Sequence, residues 1–148
     1  MIRKNKSGEV LETLFKTTHQ LHRLFENNLS KYETPVVLTG PRLRLLVTVL
    51  EAGEIRMSDI ALKLGIQPRT VTQFVDALEK EKYLIRMPDP MDRRATLLKV
   101  ADHAINDINQ ARASMSLAAE ETLKNISQED QEQILKILKL IGNLEDIN

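Results

Sequence analysis

The stretch from Gln67 to Lys80 constrains the fold more than any other. Val71, Phe74, Val75 and Leu78 recur at helical spacing and define one apolar face. Arg69, Gln73, Asp76 and Lys80 fall on the opposite face, with Thr70 and Thr72 at its flanks. Pro68 suits the first turn, where its missing N–H costs nothing, although Gln67 is a mediocre cap. Just upstream, Ile60, Ala61 and Leu64 make a second short apolar stripe, closed by Gly65. A glycine there takes the left-handed conformation that stops a helix and turns the chain sharply. Ser58 and Asp59 favour the start of that helix, and Arg56 stands where a capping Ser or Thr is expected. Two short helices joined by a tight turn, the second with a hydrogen-bonding outer face, read as a helix-turn-helix. Leu84–Arg86 and Thr96–Val100 then pair as strands around a Pro-rich basic tip, Met87 to Arg94, and Glu54–Arg56 adds a short strand. The spacing thus predicts a helix-turn-helix followed by a β-hairpin wing.

A chain of 148 residues is typically one domain with a core of its own. Its apolar runs are too short to span a bilayer. The basic start, Met1 to Lys6, is followed by no apolar stretch, so a secretory leader is not expected and a cytoplasmic location is. Cys is absent, which excludes disulfides and thiol-based sensing. The formal net charge is zero, which taken alone argues against nucleic acid. The distribution argues otherwise: residues 1–40 carry a cationic excess of two, residues 41–100 one of three, and residues 101–148 an anionic excess of five. The middle of the chain is the mildly basic part, so modest non-specific affinity for DNA is expected.

Flanking segments read as helices with surplus apolar surface. From Gly8 to Lys31, Val10, Leu11, Leu14, Phe15, Leu21, Leu24, Phe25 and Leu29 form a broad stripe. His19 and His22, three apart, admit a metal in principle, but no Cys and no HxxxH partner accompanies them, so solvent-facing and edge positions fit better. Tyr32 to Leu38 reads as a linker. Thr39 looks like an N-cap with Pro41 in the first turn, before an inward stripe of Leu43, Leu46, Val47 and Leu50. Arg42 and Arg44 are expected on the surface. From Asp102 to Lys124, Ala104, Ile105, Ile108, Ala111, Met115, Ala118, Ala119 and Thr122 share a stripe rich in small residues. Ser127 and Asp130 resemble a capping box for a last helix bearing Ile134, Ile137, Leu138, Ile141, Leu144 and Ile147. Dimerisation accounts for these faces better than packing on one domain does.

Leu38-Thr39, Ile60-Ala61 with Gly65-Ile66, the run Thr70 to Glu79, and above all Asp89-Pro90-Met91-Asp92-Arg93-Arg94 resemble the MarR (multiple antibiotic resistance regulator) family. The wing signature is the most specific part, and the similarity in helix order extends over nearly the whole chain. The resemblance implies a homodimeric transcription regulator of bacteria or archaea, often released from DNA by a small ligand. It also implies a minor-groove role for Arg94. One departure is at Val100-Ala101-Asp102-His103-Ala104, where family members commonly have Leu-Thr-x-x-Gly. Thr and Gly are both missing, so Asp102 is expected to cap the next helix and shift its start.

The chemistry of the candidate DNA-binding residues follows from their types. Arg69 suits a guanine edge or a phosphate, and Gln73 matches adenine N6 and N7. Thr70 and Thr72 offer hydroxyls to phosphate and a methyl to thymine. Asp76 either accepts from a cytosine amine or stays solvated. Arg93 and Arg94 stand at a hairpin tip, where an Arg enters a narrow minor groove, and Asp92 is expected as the ion-pair partner that aims one of them. The fold expected is mainly helical α+β: one domain over 1–148, with a DNA-binding part at 39–100 and a dimerisation part at 8–31 and 102–148. The function expected is a homodimeric regulator, a repressor by preference, on a pseudo-palindromic double-stranded DNA operator. A small-molecule effector with no assignable residues is admitted; no cofactor, metal, membrane or enzymatic activity is expected. The alternatives are a winged-helix protein-interaction module, or a metal-responsive regulator using His19, His22 or His103.

Overall fold

The computed structural model describes residues 6–35, 38 and 40–142, and the chain divides into two compact units, residues 1–29 with 117–148 and residues 30–116. The elements run α1 (Lys6–Leu29), α2 (Pro41–Ala52), β1 (Glu54–Arg56), α3 (Met57–Leu64), α4 (Pro68–Lys80), β2 (Leu84–Asp89), β3 (Asp92–Val100), a 3-10 turn (Asp102–Ala104), α5 (Ile105–Thr122) and α6 (Gln128–Gly142). This is a mainly helical α+β fold with a three-stranded antiparallel wing.

The larger unit is built on the periodicities of the sequence. Val71, Val75 and Leu78 of α4 are fully buried, and Phe74 packs half-buried against the same core. They meet Leu45, Leu46 and Val49 of α2, Ile60 of α3, Leu98 of β3 and Ile108 of α5. Such interiors tolerate little loss of volume, and truncating a residue like Leu78 to Ala costs about 2–5 kcal/mol. Helix α2 is more enclosed than its expected stripe: Leu43, Leu45, Leu46, Thr48 and Val49 are all buried. Thr48 is accommodated because its hydroxyl donates to the Arg44 carbonyl, 2.9 Å away.

Gly65 closes α3 with φ 63, and the Ile66 N–H reaches back to the Ala61 carbonyl at 3.2 Å. That six-to-one bond is the turn between α3 and α4, and it needs a left-handed residue. Neither Arg56 nor Gln67 makes a side-chain cap, in keeping with their types. Helix α4 ends in the same way, with the Tyr83 N–H bonded to the Leu78 carbonyl at 2.9 Å, but here the left-handed position is held by Lys82.

The sheet order is β1-β3-β2, with Glu54 opposite Lys99 and Leu84 opposite Val100. The basic tip is tighter than expected. The strands extend to Asp89 and Asp92, leaving Pro90 and Met91 as the turn. Register shifts between Pro88 and Asp89, so Pro88 pairs with Thr96 and Asp89 with Asp92. Arg93, Arg94 and Ala95 therefore stand opposite no residue of β2, a bulge of the sort that re-aims side chains at a sheet end. Pro88 is tolerated because β2 is an edge strand.

Two expected caps fare differently. Thr39 lies outside the described residues, and the position before α2 is Gly40, with φ 60. Asp102 does not cap: it opens the 3-10 turn without a side-chain bond at the helix start. Backbone partners satisfy that corner instead, the Ala101 N–H donating to Tyr83 O at 3.0 Å and the Ala104 N–H to Ala101 O at 2.9 Å. In α5 the buried line is Ala104 just before it, then Ile108, Ala111, Ser114 and Ala118; Ala119, expected on that stripe, is exposed because it stands one residue past the inward position.

In the smaller unit Asn28 is buried and donates from Nδ2 to Thr122 Oγ1 at 3.1 Å. The Thr122 hydroxyl in turn donates a hydrogen bond to Ala118 O at 2.6 Å. Ser127 Oγ accepts from the Asp130 N–H at 3.1 Å, which is the N-cap expected for α6. The apolar faces of this unit are open in the single chain: Phe15 is 71% exposed and Leu140 77%, and Val10, Leu11, Leu24, Ile134, Ile137 and Ile141 are exposed as well. No described helix is long and apolar enough to cross a membrane.

Candidate nucleic-acid interface

Burying Val71, Phe74, Val75 and Leu78 fixes the rotation of α4, and the rest of the helix is presented outward as a consequence. Arg69, Thr72, Gln73, Asp76 and Lys80 are exposed, and Thr70 is half-buried at the edge of the face. The Thr72 hydroxyl donates to Pro68 O at 3.1 Å, so its proton is used within the helix and its lone pairs and methyl group face outward. Arg69 and Gln73 are one turn apart near the N-terminal end, the end that a recognition helix brings to base edges.

The wing supplies a second cationic group. Arg93 and Arg94 are exposed on the bulge of β3. Asp92 is not an ion-pair partner for either guanidinium. Its Oδ1 accepts the Arg94 backbone N–H at 3.0 Å, so it shapes the turn rather than the side chain. Asp89 anchors the tip from inside. It is buried, its Oδ1 accepts the Met91 N–H at 2.8 Å, and its Oδ2 accepts from Arg56 Nε at 2.6 Å. The Met91 N–H holds the Asp89 carboxyl below its ordinary range; burial pushes the other way, and the Arg56 guanidinium and the Asp92 N–H add to the lowering.

Asp76 stays largely exposed, but it is not a lone carboxylate on the outer face. It is paired with Arg86 of β2, whose Nε also lies 3.4 Å from Glu79 Oε2. Sequence alone did not find Arg86, Arg56 or Glu79, because their partners are 33 residues away for Arg56 and across an element boundary for Arg86. The Asp89-Pro90 pair at a hairpin turn was the one local sign of the anchor. Arg42, expected fully on the surface, is half-buried with its guanidinium 5.9 Å from the centre of the Phe74 ring. Arg44 is exposed as expected. His19 and His103 are exposed, and His22 faces Glu26 at 3.2 Å on the solvent side of α1. Among the described residues no three His, Cys, Asp or Glu side chains gather as a metal site would need.

A helix-turn-helix with an outward hydrogen-bonding helix, backed by an antiparallel wing with two exposed arginines, defines a DNA-binding transcription regulator rather than an enzyme. Residues 38–96 match the family model described as the MarR family, so this part of the chain is of the MarR type. It is 28% identical over 113 residues to an uncharacterised HTH-type transcriptional regulator of Bacillus subtilis, YdgJ, covering 76% of this chain and 69% of that one. Among solved structures it is similar to a MarR variant from E. coli complexed with operator DNA, at a TM-score of 0.77 and 19% identity, covering 93% of this chain and 96% of the other. It is equally similar in fold to the PcaV regulator of Streptomyces coelicolor in complex with its natural ligand, with a TM-score of 0.77, 17% identity, and coverage of 88% and 90%.

Proposed function

We propose that this regulator works as a homodimer on a two-fold operator, with residues 39–100 as the DNA-binding part and residues 8–31 and 102–148 as the dimerisation part. In each subunit Arg69, Thr70, Thr72 and Gln73 meet the major groove. Arg93 and Arg94 meet the flanking minor groove, and Asp92 sets the turn that carries them. The observation that carries this is the pairing, within one compact unit, of an outward polar α4 with an arginine-bearing bulge. Two-fold symmetry predicts half-sites one helical turn apart, roughly 10 bp centre to centre. Covering a promoter in this way represses it, and chromosomal DNA as the target places the protein in the cytoplasm.

Release by a small ligand fits the same reading, since the similar PcaV structure holds its natural ligand. The larger unit contains a cavity of about 510 Å³ lined by Glu33, Thr34, Pro35, Asp107, Gln110 and Ala111. Its volume is within the range small ligands occupy, and the Thr34 hydroxyl is shielded and lacks a hydrogen-bond partner.

The test is a salt titration of binding on a selected genomic site and on random duplex. Gln73→Ala is expected to cost about 1–3 kcal/mol on the selected site and little on random DNA. Arg94→Ala is expected to weaken both more nearly alike and to reduce the salt slope by about one phosphate equivalent. An unchanged affinity and slope for Arg94→Ala on both duplexes removes the wing from the interface, and a footprint over one asymmetric half-site removes the dimeric reading.

A further inference from the structure

The outer side of α4 carries two carboxylates as well as its cations. Asp76 follows Gln73 by one turn on the same face, and Glu79 follows Asp76. Each would meet the phosphates of a duplex, which carry one negative charge per about 1.7 Å of helix axis. Both are held by a single cation from another element. The Arg86 Nη2 bonds Asp76 Oδ1, and its Nε stands 3.4 Å from Glu79 Oε2. Only a third of the Arg86 side chain is exposed, and its Nε is shielded from solvent without a hydrogen bond. Its fork therefore points into the carboxylates and not outward. A planar guanidinium engages two acids at once where an ammonium engages one point.

Resting on the reading that this face of α4 meets DNA, we infer that Arg86 is an internal counter-charge for the recognition helix: it neutralises Asp76 and Glu79, lets the C-terminal half of α4 lie against phosphates, and withdraws Asp76 from base reading. Arg86 is a positioning residue here and touches no nucleotide. With it in place the cations left to face the duplex are Arg69 and Lys80 of α4 and Arg93 and Arg94 of the wing. Without it two carboxylates are uncovered at the place where negative charge is least tolerated. The Debye length is about 10 Å at 0.1 M salt, so the effect fades as salt rises.

The experiment measures binding of the full chain to a fluorescent random-sequence duplex at several salt concentrations, with a thermal melt for each variant. Arg86→Gln is expected to weaken binding about tenfold at low salt, with the loss shrinking at high salt. The paired variant Asp76→Asn with Glu79→Gln is expected to bind as well as the wild type or better. Adding Arg86→Gln to that pair is expected to change affinity by less than about twofold, because no carboxylate remains to be covered. Arg86→Lys keeps the charge but covers one carboxylate at a time, so it is expected to bind between the wild type and Arg86→Gln, and it keeps the test readable should Arg86→Gln fail to fold. An equal loss from Arg86→Gln in both backgrounds means that Arg86 contacts phosphate itself and overturns the inference. Weaker binding by the Asp76→Asn, Glu79→Gln pair means that the contact is only a brace, and also overturns it. Arg69→Ala separates the underlying reading: if it too leaves binding unchanged, α4 is not the interface and both conclusions fall; if it weakens binding while Arg86 fails its test, only the counter-charge falls.

Discussion

Lys82 holds the left-handed position that ends α4, with φ 64, the one described residue other than glycine with a positive φ. An L side chain there strains against its own carbonyl, and glycine does not. Lys82→Gly is expected to raise stability by about 0.5–1 kcal/mol, the relief being partly offset by the looser unfolded chain. A thermal or urea melt reads this directly, and a loss of stability would show that the Lys82 side chain contributes more than its backbone strains. Single residues are where sequence reading falls short most clearly. Arg69 and Gln73 were legible as outward because helical periodicity fixes their face. The state of Asp76 was not, because its partner Arg86 lies on the next element and no periodicity connects them. Asp92 shows the same limit in reverse: a carboxylate beside two arginines suggests an ion pair, and the nearer backbone N–H of Arg94 takes it instead.

Elements were more legible, since each is specified by a local pattern. Gly65 marked the turn of the helix-turn-helix, Ser127 marked the start of α6, and the two wing strands were expected on either side of a proline-rich basic tip. The shape of the wing tip was not, because a bulge depends on which residues pair across the hairpin. What fixes the tip is Asp89, held by the Met91 N–H and Arg56. Its carboxyl is lowered from the ordinary value of 3.8, so between its folded and unfolded values the folded chain binds fewer protons. Stability from this contact is therefore fully present above the ordinary carboxylate range and is lost as pH falls through the lowered value. Asp89→Asn is expected to destabilise the wing at neutral pH, and the gap from the wild type is expected to close in acid. Denaturant melts across acidic pH check it, and a gap that stays constant with pH would assign the effect to packing.

For the molecule as a whole, family and fold were legible because the wing signature and the order of helices are spread along the chain. The enclosure of α2 was not, because it depends on β1, α3, α4 and β3 arriving from elsewhere in the sequence. The proposed assembly rests on the smaller unit, whose apolar side chains are exposed in the single chain on both α1 and α6. A water-facing apolar surface of that kind is what a partner subunit would cover. Ile137→Asp is expected to shift the protein toward monomer and to weaken operator binding together with it, since a two-fold site then loses half its contacts. Light scattering of wild type and variant decides it, and a monomeric wild type at micromolar concentration would refute the proposed dimer.

Arg93, Arg94 and Ala95 stand outside the β2–β3 ladder, which closes again where Pro88 meets Thr96. Their side chains, and even their number, are therefore decoupled from the strand pairing that holds the wing. An added residue there pays little beyond a small loop-closure entropy. The hairpin thus has a paired stem and an unpaired tip, so that substituting Arg93 or Arg94 is expected to change what the tip carries and to leave the β2–β3 register as it is.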